Sequence, residues 1–438
     1  MNAQSRHVDN LLSQSFQFSN GARLQNRLVK SALSEALGNL HGHATPELVQ
    51  LYRTWSASGI GLLVTGNVMI DRRALGEPGN VVVEDASGHA MLSEWAQAGN
   101  RNGTQLWMQI NHPGKQAFLG LNRETVAPSA IGFGPALAPF FPVPRALTSS
   151  EIEDLIVRYG RTAGLAKAAG FKGVQMHGAH GYLISQFLSP HHNQRDDDWG
   201  GDAERRRRFV LAVYGEIRRV VGADFPVGIK LNSADFQRGG FTEDESLETI
   251  RSLANAGIDM VEISGGTYES PAMARGGAKA STLAREAYFL DFADKVRKEV
   301  AVPLMVTGGF RTAAGMNAAL ASGGLDLVGL GRLMAIEPQV AERLLRGEDP
   351  LHQLRAIRTG IRMVDESASM EVTWYTRQLH RIGRGRAPVP NESGLKSFLL
   401  DLLTKGWGIF KTRRMRARAG NPAQPEALSL QPSARIDA

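Results

Sequence analysis

The stretch GVQMHGAHGY (173–182) begins as a short apolar run and ends in two histidines, two glycines and a tyrosine. A helical pattern precedes it over residues 149–169, and a second one follows over residues 204–221. An apolar run between two helical segments is the pattern of a parallel β/α unit. The polar end of the run marks the carboxyl end of the predicted strand, which is where barrels of such units carry their functional groups.

The same unit recurs along the chain. The apolar runs are LVKSA (28–32), GLLVTG (61–66), QLWMQI (105–110), GVQMH (173–177), VGIKL (227–231), DMVEIS (259–264), PLMVTG (303–308) and DLVGLG (326–331). The helical segments are 47–58, 87–101, 149–169, 204–221, 243–256, 286–299, 312–321 and 337–345. A doubly wound open sheet has the same alternation. Because polar and glycine residues follow most of the runs, we predict an α/β fold with a (β/α)8 TIM barrel over residues 1–345.

Segments outside the repeating units complete this prediction. FQFSNGARL (16–24) has an SNG turn between apolar residues, which predicts a hairpin able to close the lower mouth of the barrel. The loops 111–148 and 265–285 follow strands three and six, and their length is typical of lids or binding loops. We expect residues 346–393 to form a helical extension packed on the barrel.

Residues 394–438 are predicted to form a basic tail that is part amphipathic and part disordered. Apolar residues recur at helical spacing over 394–410, although Gly406 and Gly408 weaken this helix. The basic cluster KTRRMRAR (411–418) follows, and the last nineteen residues have the composition of a disordered segment. Residues 381–438 hold 11 Lys and Arg against 4 Asp and Glu, which accounts for the whole net charge of +7.

Composition excludes several classes of site. The 438 residues include no cysteine, which excludes disulfides, cysteine-ligated iron–sulfur clusters and thiolate zinc sites. No run of about 18 uninterrupted apolar residues predicts a membrane-spanning helix. The amino-terminal sequence MNAQSRHVDNLLSQ lacks the apolar region of a signal peptide, so we expect a cytoplasmic protein.

His177, His180 and Tyr182 are the densest group of chemically active side chains. Two imidazoles three residues apart can aim at one point, and a zinc site would need at least a third ligand. The other functional interpretation is a pair of hydrogen-bond donors to one substrate oxygen with a tyrosine acid nearby. A turn with satisfied polar side chains is the structural alternative. We favour the donor pair and expect no metal, and we interpret NQRDDDWGGDAERRRRF (193–209) as a salt-linked structural loop.

Two glycine motifs end the last two predicted strands. TGGF (307–310) and GLGR (329–332) stand where barrels commonly bind phosphate. Glycine lets backbone N–H groups approach an anion, and an arginine adds a charged donor. Together the motifs predict a phosphorylated cofactor or substrate.

Two polar residues stand inside apolar strands. Lys230 could support negative charge on a cofactor ring, or it could pair with Glu262 inside the barrel. Gln109 ends strand three, where an amide can bind a ring edge as donor and acceptor, or it could be a satisfied core residue.

These motifs together resemble the Old Yellow Enzyme family of FMN-dependent NADH:flavin oxidoreductases and ene-reductases, over residues 16 to about 345. The most specific part is HGAHGYLISQFLSPHHNQRDDDWGGDAERRRRF (177–209). Further matches are NRLVKSALSE (26–35), LLVTGNVM (62–69), QLWMQINHPGKQ (105–116), TGGF and GLGR.

The resemblance implies FMN at the carboxyl-terminal mouth of the barrel. Ala32, Leu33, Ser34 and Asn67 would line the flavin ring, with Ser34 near its O4 side. Gln109 would hold the pyrimidine edge and Lys230 would face N1, while Gly308, Gly309, Gly331 and Arg332 would hold the phosphate. The chain departs from the family at Lys230, where arginine is usual, and at Ala32 and Asn67, where proline and a small residue are usual.

The resemblance also implies the reaction. NADH or NADPH would reduce the flavin, and an activated alkene would then take the hydride. His177 and His180 would bind the carbonyl of this small-molecule substrate, and Tyr182 would supply a proton. The alternatives are an FMN barrel that acts oxidatively, as a demethylase or dehydrogenase, and a flavoprotein whose basic tail binds a membrane or a partner. For the tail we favour the structural interpretation, a carboxyl-terminal helix docked on the barrel with a solvated charged end. We expect no nucleic-acid partner.

Overall fold

A computed structural model describes residues 10–266, 289–365 and 369–419. Its strands are β1 (Phe16–Gln17), β2 (Arg23–Leu24), β3 (Leu28–Lys30), β4 (Leu62–Met69), β5 (Val81–Val82), β6 (Gln105–Asn111), β7 (Val126–Ala127), β8 (Arg145–Ala146), β9 (Gly173–Gly178), β10 (Val227–Asn232), β11 (Met260–Ser264), β12 (Leu304–Thr307) and β13 (Leu327–Leu330). The helices of the barrel region are α1 (Pro46–Ser56), α2 (His89–Gly99), α3 (Ser149–Ala169), α4 (Leu183–Leu188), α5 (Ala203–Val221), α6 (Glu243–Asn255), α7 (Leu290–Glu299), α8 (Ala313–Ala321), α9 (Arg332–Ile336) and α10 (Val340–Leu345). The extension adds α11 (Arg362–Asp365), α12 (Ser369–Gly383) and α13 (Gly394–Ala419).

Eight of these strands form a closed parallel barrel. Their order around it is β3, β4, β6, β9, β10, β11, β12 and β13, and β13 pairs with β3 to close the ring. The chain therefore has the (β/α)8 fold that its repeating units predict. The loop 265–285 lies, from residue 267 onward, outside the described residues.

Local signals explain where the surrounding helices begin. Thr45 caps α1 before Pro46, whose missing N–H suits the first helical position. Thr148 and Glu151 form a capping box on α3, and Thr242 and Glu245 form one on α6. The helices pack their apolar sides on the outer faces of the strands in one continuous core.

A second, smaller core fills the lower end of the barrel. Phe18 and Leu24, from the β1–β2 segment, pack with inward side chains of the strands, among them Trp107, Met260 and Met305. β1 and β2 pair as the antiparallel hairpin that the sequence predicts. The hairpin closes the lower mouth, so the site is confined to the carboxyl-terminal end.

The loop between β9 and α5 is salt-linked, as its charge pattern predicts. Arg195 pairs with Asp197 at 2.5 Å, and Arg206 on α5 pairs with Glu245 at 2.5 Å. The first pair stabilises the loop itself, and the second joins α5 to α6 of the neighbouring unit.

The extension continues the fold beyond the barrel. α12 packs against α1 and α9, and α13 packs against α12. α13 extends through the basic cluster to Ala419, further than the apolar spacing predicts. The division of the chain at residues 345 and 393 stays a prediction. In the described part of the chain, no helix is both long and apolar enough to span a membrane.

Candidate functional site

His177, His180 and Tyr182 lie together at the end of β9. The ring centroid of His177 is 5.2 Å from that of His180 and 4.8 Å from that of Tyr182. His180 has a φ of 60°, a left-handed conformation that turns the chain sharply after the strand. The turn directs three side chains from six residues of sequence toward one point.

The buried imidazole of His177 is a neutral hydrogen-bond donor. Its Nδ1 accepts a hydrogen bond from the N–H of Ala179 at 3.3 Å, which assigns the ring proton to Nε2. Burial, followed by the charges of His180 and Lys230, holds the pKa of His177 well below its usual value. His177 can therefore donate from Nε2 across the neutral pH range without carrying charge.

His180 is held by the next two strands. Its backbone N–H donates to Asn232 Oδ1 at 3.2 Å, and its Nε2 lies 2.8 Å from Ser264 Oγ. Burial, together with the charge of Lys230, lowers the pKa of His180 to about 3. Since Nε2 has a partner in Ser264, the Nδ1 side of the ring is the one available to a substrate.

The side chain of Tyr182 lies close to strand β4. Its hydroxyl lies 3.4 Å from Nδ2 of Asn67, and the side chain is 9% exposed. It precedes α4, which fixes its backbone. The phenol can accept a hydrogen bond from the Asn67 amide and still present its own proton to a bound molecule.

A chain of buried polar side chains crosses the barrel interior below the histidines. Gln109 Nε2 donates to Gln175 Oε1 at 2.8 Å, and Gln175 Nε2 donates to Glu262 Oε2 at 2.8 Å. Glu262 Oε1 pairs with Lys230 Nζ at 2.9 Å and accepts from Thr307 Oγ1 at 2.7 Å. We call these five residues the interior polar chain. The pairing of Lys230 with Glu262 is the structural alternative that the sequence leaves open.

The position of Lys230 nevertheless brings its charge to the site. In the parallel register Lys230 is the partner of His177 on β9 and of Glu262 on β11. Its ammonium group contributes to the lowered pKa of both His177 and His180. Lys230 therefore pairs within the interior polar chain and also places a positive charge near the mouth of the barrel.

Two buried amides at the end of β6 have unused hydrogen-bonding capacity. Among the described residues, Gln109 Oε1 and both amide atoms of Asn111 find no partner. Both residues are fully buried. An orphaned buried amide is costly, so these atoms have hydrogen-bonding capacity left for a bound ligand or a water molecule.

The segment after β3 is fixed by a second buried cluster. The carboxylate of Glu35 accepts from the N–H of Gly66 at 2.9 Å and pairs with Lys30 at 3.3 Å. Burial lowers the pKa of Lys30 to about 8 in spite of Glu35. A Cβ on Gly66 would lie 2.1 Å from Glu35 Oε2 and 2.3 Å from the carbonyl oxygen of Leu33. Only glycine lets β4 approach the segment that carries Ala32, Leu33 and Ser34.

Ser34 is bonded from two directions. Its hydroxyl donates to Glu77 in the loop after β4, and its carbonyl accepts from Thr376 on α12 at 3.0 Å. His380, also on α12, lies 2.8 Å from the carbonyl oxygen of Glu35. The extension therefore positions the segment that the sequence predicts beside the flavin.

The glycine motifs end neighbouring strands, since β12 and β13 pair with Thr307 opposite Gly329. Gly308 and Gly309 have φ values of 112° and 98°, which other residues rarely adopt. Arg332 follows Gly331 and pairs through Nη1 with Glu371 of α12 at 2.6 Å. The predicted phosphate site therefore combines glycines of positive φ with an arginine and with a carboxylate that the sequence did not reveal, and its binding of phosphate stays a prediction.

Sequence reasoning missed the residues that orient the site. Asn232 and Ser264 hold His180, Gln175 links the interior polar chain, and Glu77 and Glu371 bond Ser34 and Arg332. Side chains two residues apart on a strand point to the same side, and this alternation could have identified two of these residues. Gln175 lies two residues before His177, and Ser264 lies two residues after Glu262. Of the residues that the structure describes, no three His, Asp or Glu side chains are grouped to hold a metal ion.

Comparisons with known proteins concern the sequence and the fold of the chain. Residues 12–349 match the sequence profile of the NADH:flavin oxidoreductase / NADH oxidase family. The NADH-dependent flavin oxidoreductase iliE of Hypocrea jecorina (strain QM6a) is 34% identical over 381 residues, which cover 82% of this chain and 93% of that protein. The iliE protein of Neonectria sp. (strain DH2) is 38% identical over 343 residues, covering 73% of this chain but only 45% of its own length.

A further relative and a solved structure extend the comparison. The NADH:fumarate oxidoreductase of Klebsiella pneumoniae (strain 342) is 33% identical over 342 residues, covering 77% of this chain and 36% of that protein. The structure of an old yellow enzyme homologue from Zymomonas mobilis superimposes with a TM-score of 0.67 at 22% identity, covering 80% of this chain and 95% of that one. This structural likeness concerns the fold.

Proposed function

Because the chain belongs to the NADH:flavin oxidoreductase / NADH oxidase family, it is an FMN-dependent oxidoreductase, and we propose that it uses NADH or NADPH to reduce an activated alkene. The alkene would be conjugated to a carbonyl group, as in an α,β-unsaturated ketone, aldehyde or acid. One observation carries this proposal: a neutral imidazole donor, His177, lies beside a tyrosine hydroxyl at the open end of the barrel.

The residues at the barrel mouth fit FMN. Gln109 Oε1, buried and without a partner among the described residues, offers an acceptor to a ring N–H. The positive φ angles of Gly308 and Gly309 allow close approach of backbone to a phosphate, and Arg332 offers a charged donor. Ala32, Leu33, Ser34, Asn67, Lys230 and Gly331 complete the set that we propose to hold the cofactor. When bound, FMN supplies the capacity to take up and release a hydride.

The two histidines bind the substrate carbonyl in this proposal. Reduction of a conjugated alkene develops negative charge on the carbonyl oxygen, and a preorganised donor stabilises that charge more than the neutral ground state. His177 donates from Nε2, and His180 donates from its Nδ1 side while Ser264 occupies Nε2. Since both imidazoles stay neutral, they stabilise charge without protonating the oxygen.

Tyr182 acts as the general acid in this proposal. Its hydroxyl gives a proton to the carbon next to the carbonyl, and Asn67 holds the phenol oxygen in place. Lys230 lies at the same level of the barrel and provides a fixed positive charge near the site. The name of the Klebsiella pneumoniae relative supports this substrate class, because fumarate is an alkene conjugated to carboxyl groups.

Anaerobic stopped-flow spectroscopy of the purified protein tests the proposal. We expect the protein to be yellow, to release FMN on acid treatment and to lose its visible absorbance rapidly on mixing with NADH or NADPH. A conjugated ketone added to the reduced protein should restore the absorbance. A protein that stays oxidised with both NADH and NADPH would overturn the proposal, and reduction by an alcohol or amine substrate instead would show that the chain acts oxidatively.

A further inference from the structure

Helix α13 rests on the protein through small and polar residues. Ser397 and Thr412 are buried, and Asp401 accepts a hydrogen bond from Thr373 of α12 at 3.2 Å. A Cβ on Gly408 would lie 3.1 Å from Pro78, in the loop after β4. At 3.6 residues per turn these four positions share one side of the helix, and that side faces the protein.

The opposite side of α13 is apolar and faces solvent. Leu402, Leu403, Trp407 and Phe410 are between 51% and 72% exposed, and Leu399 is 53% exposed. The rings of Trp407 and Phe410 stack with centroids 5.7 Å apart. An amphipathic helix normally buries its apolar side, so this reversed orientation leaves a continuous apolar surface without a partner in the described chain. We call it the α13 outer face.

Near the carboxyl end of the helix, the α13 outer face is positively charged. Lys411, Arg413 and Arg414 are exposed, and the sequence adds Arg416 and Arg418. Asp401 is the single acidic residue between positions 394 and 419, and it lies on the side that contacts α12. The outer face therefore combines leucines and a tryptophan with a cluster of cations and carries no negative charge.

We propose that the α13 outer face binds the surface of an anionic lipid bilayer. Leucine and tryptophan insert into the boundary between headgroups and acyl chains, and lysine and arginine attract anionic headgroups. The helix is about 39 Å long and would lie in the plane of the surface. A second copy of the chain fits this face less well, because the outer face offers no acidic side chain to pair with the cationic cluster of another copy.

The position of α13 adds a consequence for the barrel. The guanidinium of Arg413 lies 3.2 Å from where a Cβ on Gly120 would stand, in the loop after β6, and Pro78 belongs to the loop after β4. Both loops follow barrel strands and surround the carboxyl-terminal mouth. Binding through the outer face would therefore bring the open end of the barrel close to the lipid surface.

Vesicle sedimentation with the full chain tests the proposal. We expect the protein to sediment with vesicles that contain phosphatidylglycerol and to remain in solution with phosphatidylcholine alone. Because each cation near the surface contributes to lipid affinity, Arg413→Gln with Arg414→Gln should weaken binding roughly tenfold or more. Leu402→Ser, Leu403→Ser and Trp407→Ser combined should abolish it. All five side chains are exposed, so these variants should fold.

Matched controls distinguish binding through the α13 outer face from nonspecific hydrophobic adsorption to vesicles. Val157→Ser with Leu351→Ser removes apolar side chains that are 47% and 67% exposed elsewhere, and binding should not change. A blue shift of tryptophan emission on adding anionic vesicles, lost in Trp407→Phe, would support insertion.

Two results would overturn the proposal: a wild-type chain that stays in solution with anionic vesicles, or one that forms dimers through the same leucines and does not sediment. Flavin content and NADH oxidation, measured on the same samples, test the enzymatic proposal separately.

Discussion

The guanidinium of Arg332 lies 2.6 Å from the carboxylate of Glu371, which joins the end of the last barrel strand to helix α12. The two side chains are 29% and 30% exposed, and the pair occupies only one of the two terminal nitrogens of the guanidinium. An arginine can serve a carboxylate and a phosphate together because its five donors spread over a planar fork. Lysine carries the same charge but has no such fork.

Substitution of Arg332 should weaken FMN binding, and alanine should weaken it more than lysine. We expect Arg332→Ala to lower the affinity of the flavin-free protein for FMN roughly tenfold to a hundredfold, which corresponds to a charged hydrogen bond of about 1.5–3 kcal/mol. Arg332→Lys should lose an intermediate amount. Riboflavin has no phosphate, so its affinity should change little in either variant when both ligands are titrated by fluorescence. Arg346→Lys, in the surface pair with Glu342, is the matched control.

Lys230 and Glu262 should contribute to stability as a coupled pair, because both charges are buried. Lys230→Met leaves the carboxylate of Glu262 buried without its cation, and removal of one member of a buried pair costs about 3–5 kcal/mol. The double variant Lys230→Met/Glu262→Gln removes both charges and should recover a large part of that loss. Urea unfolding of the flavin-free proteins measures the difference. Equal destabilisation in the single and double variants would contradict the pairing as the source of the cost.

The barrel could be predicted from the sequence because its signals are local. Each strand run ends within a few residues of its observed boundary, and His177, His180 and Tyr182 are close neighbours along the chain. The partners that orient them are not local: Asn232 and Ser264 come from other strands. No pattern within a strand indicates which distant side chain its last polar residue will meet.

The helical extension was likewise only partly predictable from the sequence. Glu371 follows the last barrel strand by about forty residues, and only tertiary packing brings it to Arg332. Gly406 and Gly408 predict a weakened helix, since each glycine costs about 1 kcal/mol relative to alanine. The helix continues through them, and at Gly408 the close approach of Pro78 explains why a small residue stands there.

The buried histidines should make the fold less stable in acid. Burial lowers the pKa of His112 to about 4 and of His180 to about 3, and it holds the pKa of His177 well below its usual value. Below about pH 6.5 the unfolded chain takes up protons that the native chain does not, so stability falls as the pH falls toward the native pKa values.

Each of these histidines adds a slope of up to about 1.4 kcal/mol per pH unit to that fall. Urea midpoints compared at about pH 7 and about pH 5 should therefore drop clearly. His180→Asn should reduce the drop, and His41→Asn, at an exposed position, should leave it unchanged. An equal drop in wild type and His180→Asn would argue against a buried neutral His180.

His177 should control the binding of phenols to the flavin-loaded protein. A phenolate oxygen resembles the charged oxygen that develops on the substrate, and Nε2–H of His177 is the donor that we assign to it. His177→Ala should weaken phenol binding by roughly tenfold or more, the effect of losing a hydrogen bond to a charged group. Absorbance titration gives the affinity, and a wild-type value in the variant would remove His177 from the carbonyl site.

Tyr182 should matter in one half of the reaction only. In the proposed mechanism the hydroxyl gives a proton to the alkene carbon but takes no part in the oxidation of NADH, so Tyr182→Phe should leave flavin reduction by NADH within a few-fold of wild type. Reoxidation by a conjugated ketone should slow roughly a hundredfold to ten-thousandfold, the usual contribution of a positioned acid. Tyr214→Phe, on the outer helix α5, is the matched control. Stopped-flow measurement of the two half-reactions separates the steps, and equal slowing of both would show that Tyr182 shapes the site rather than donating the proton.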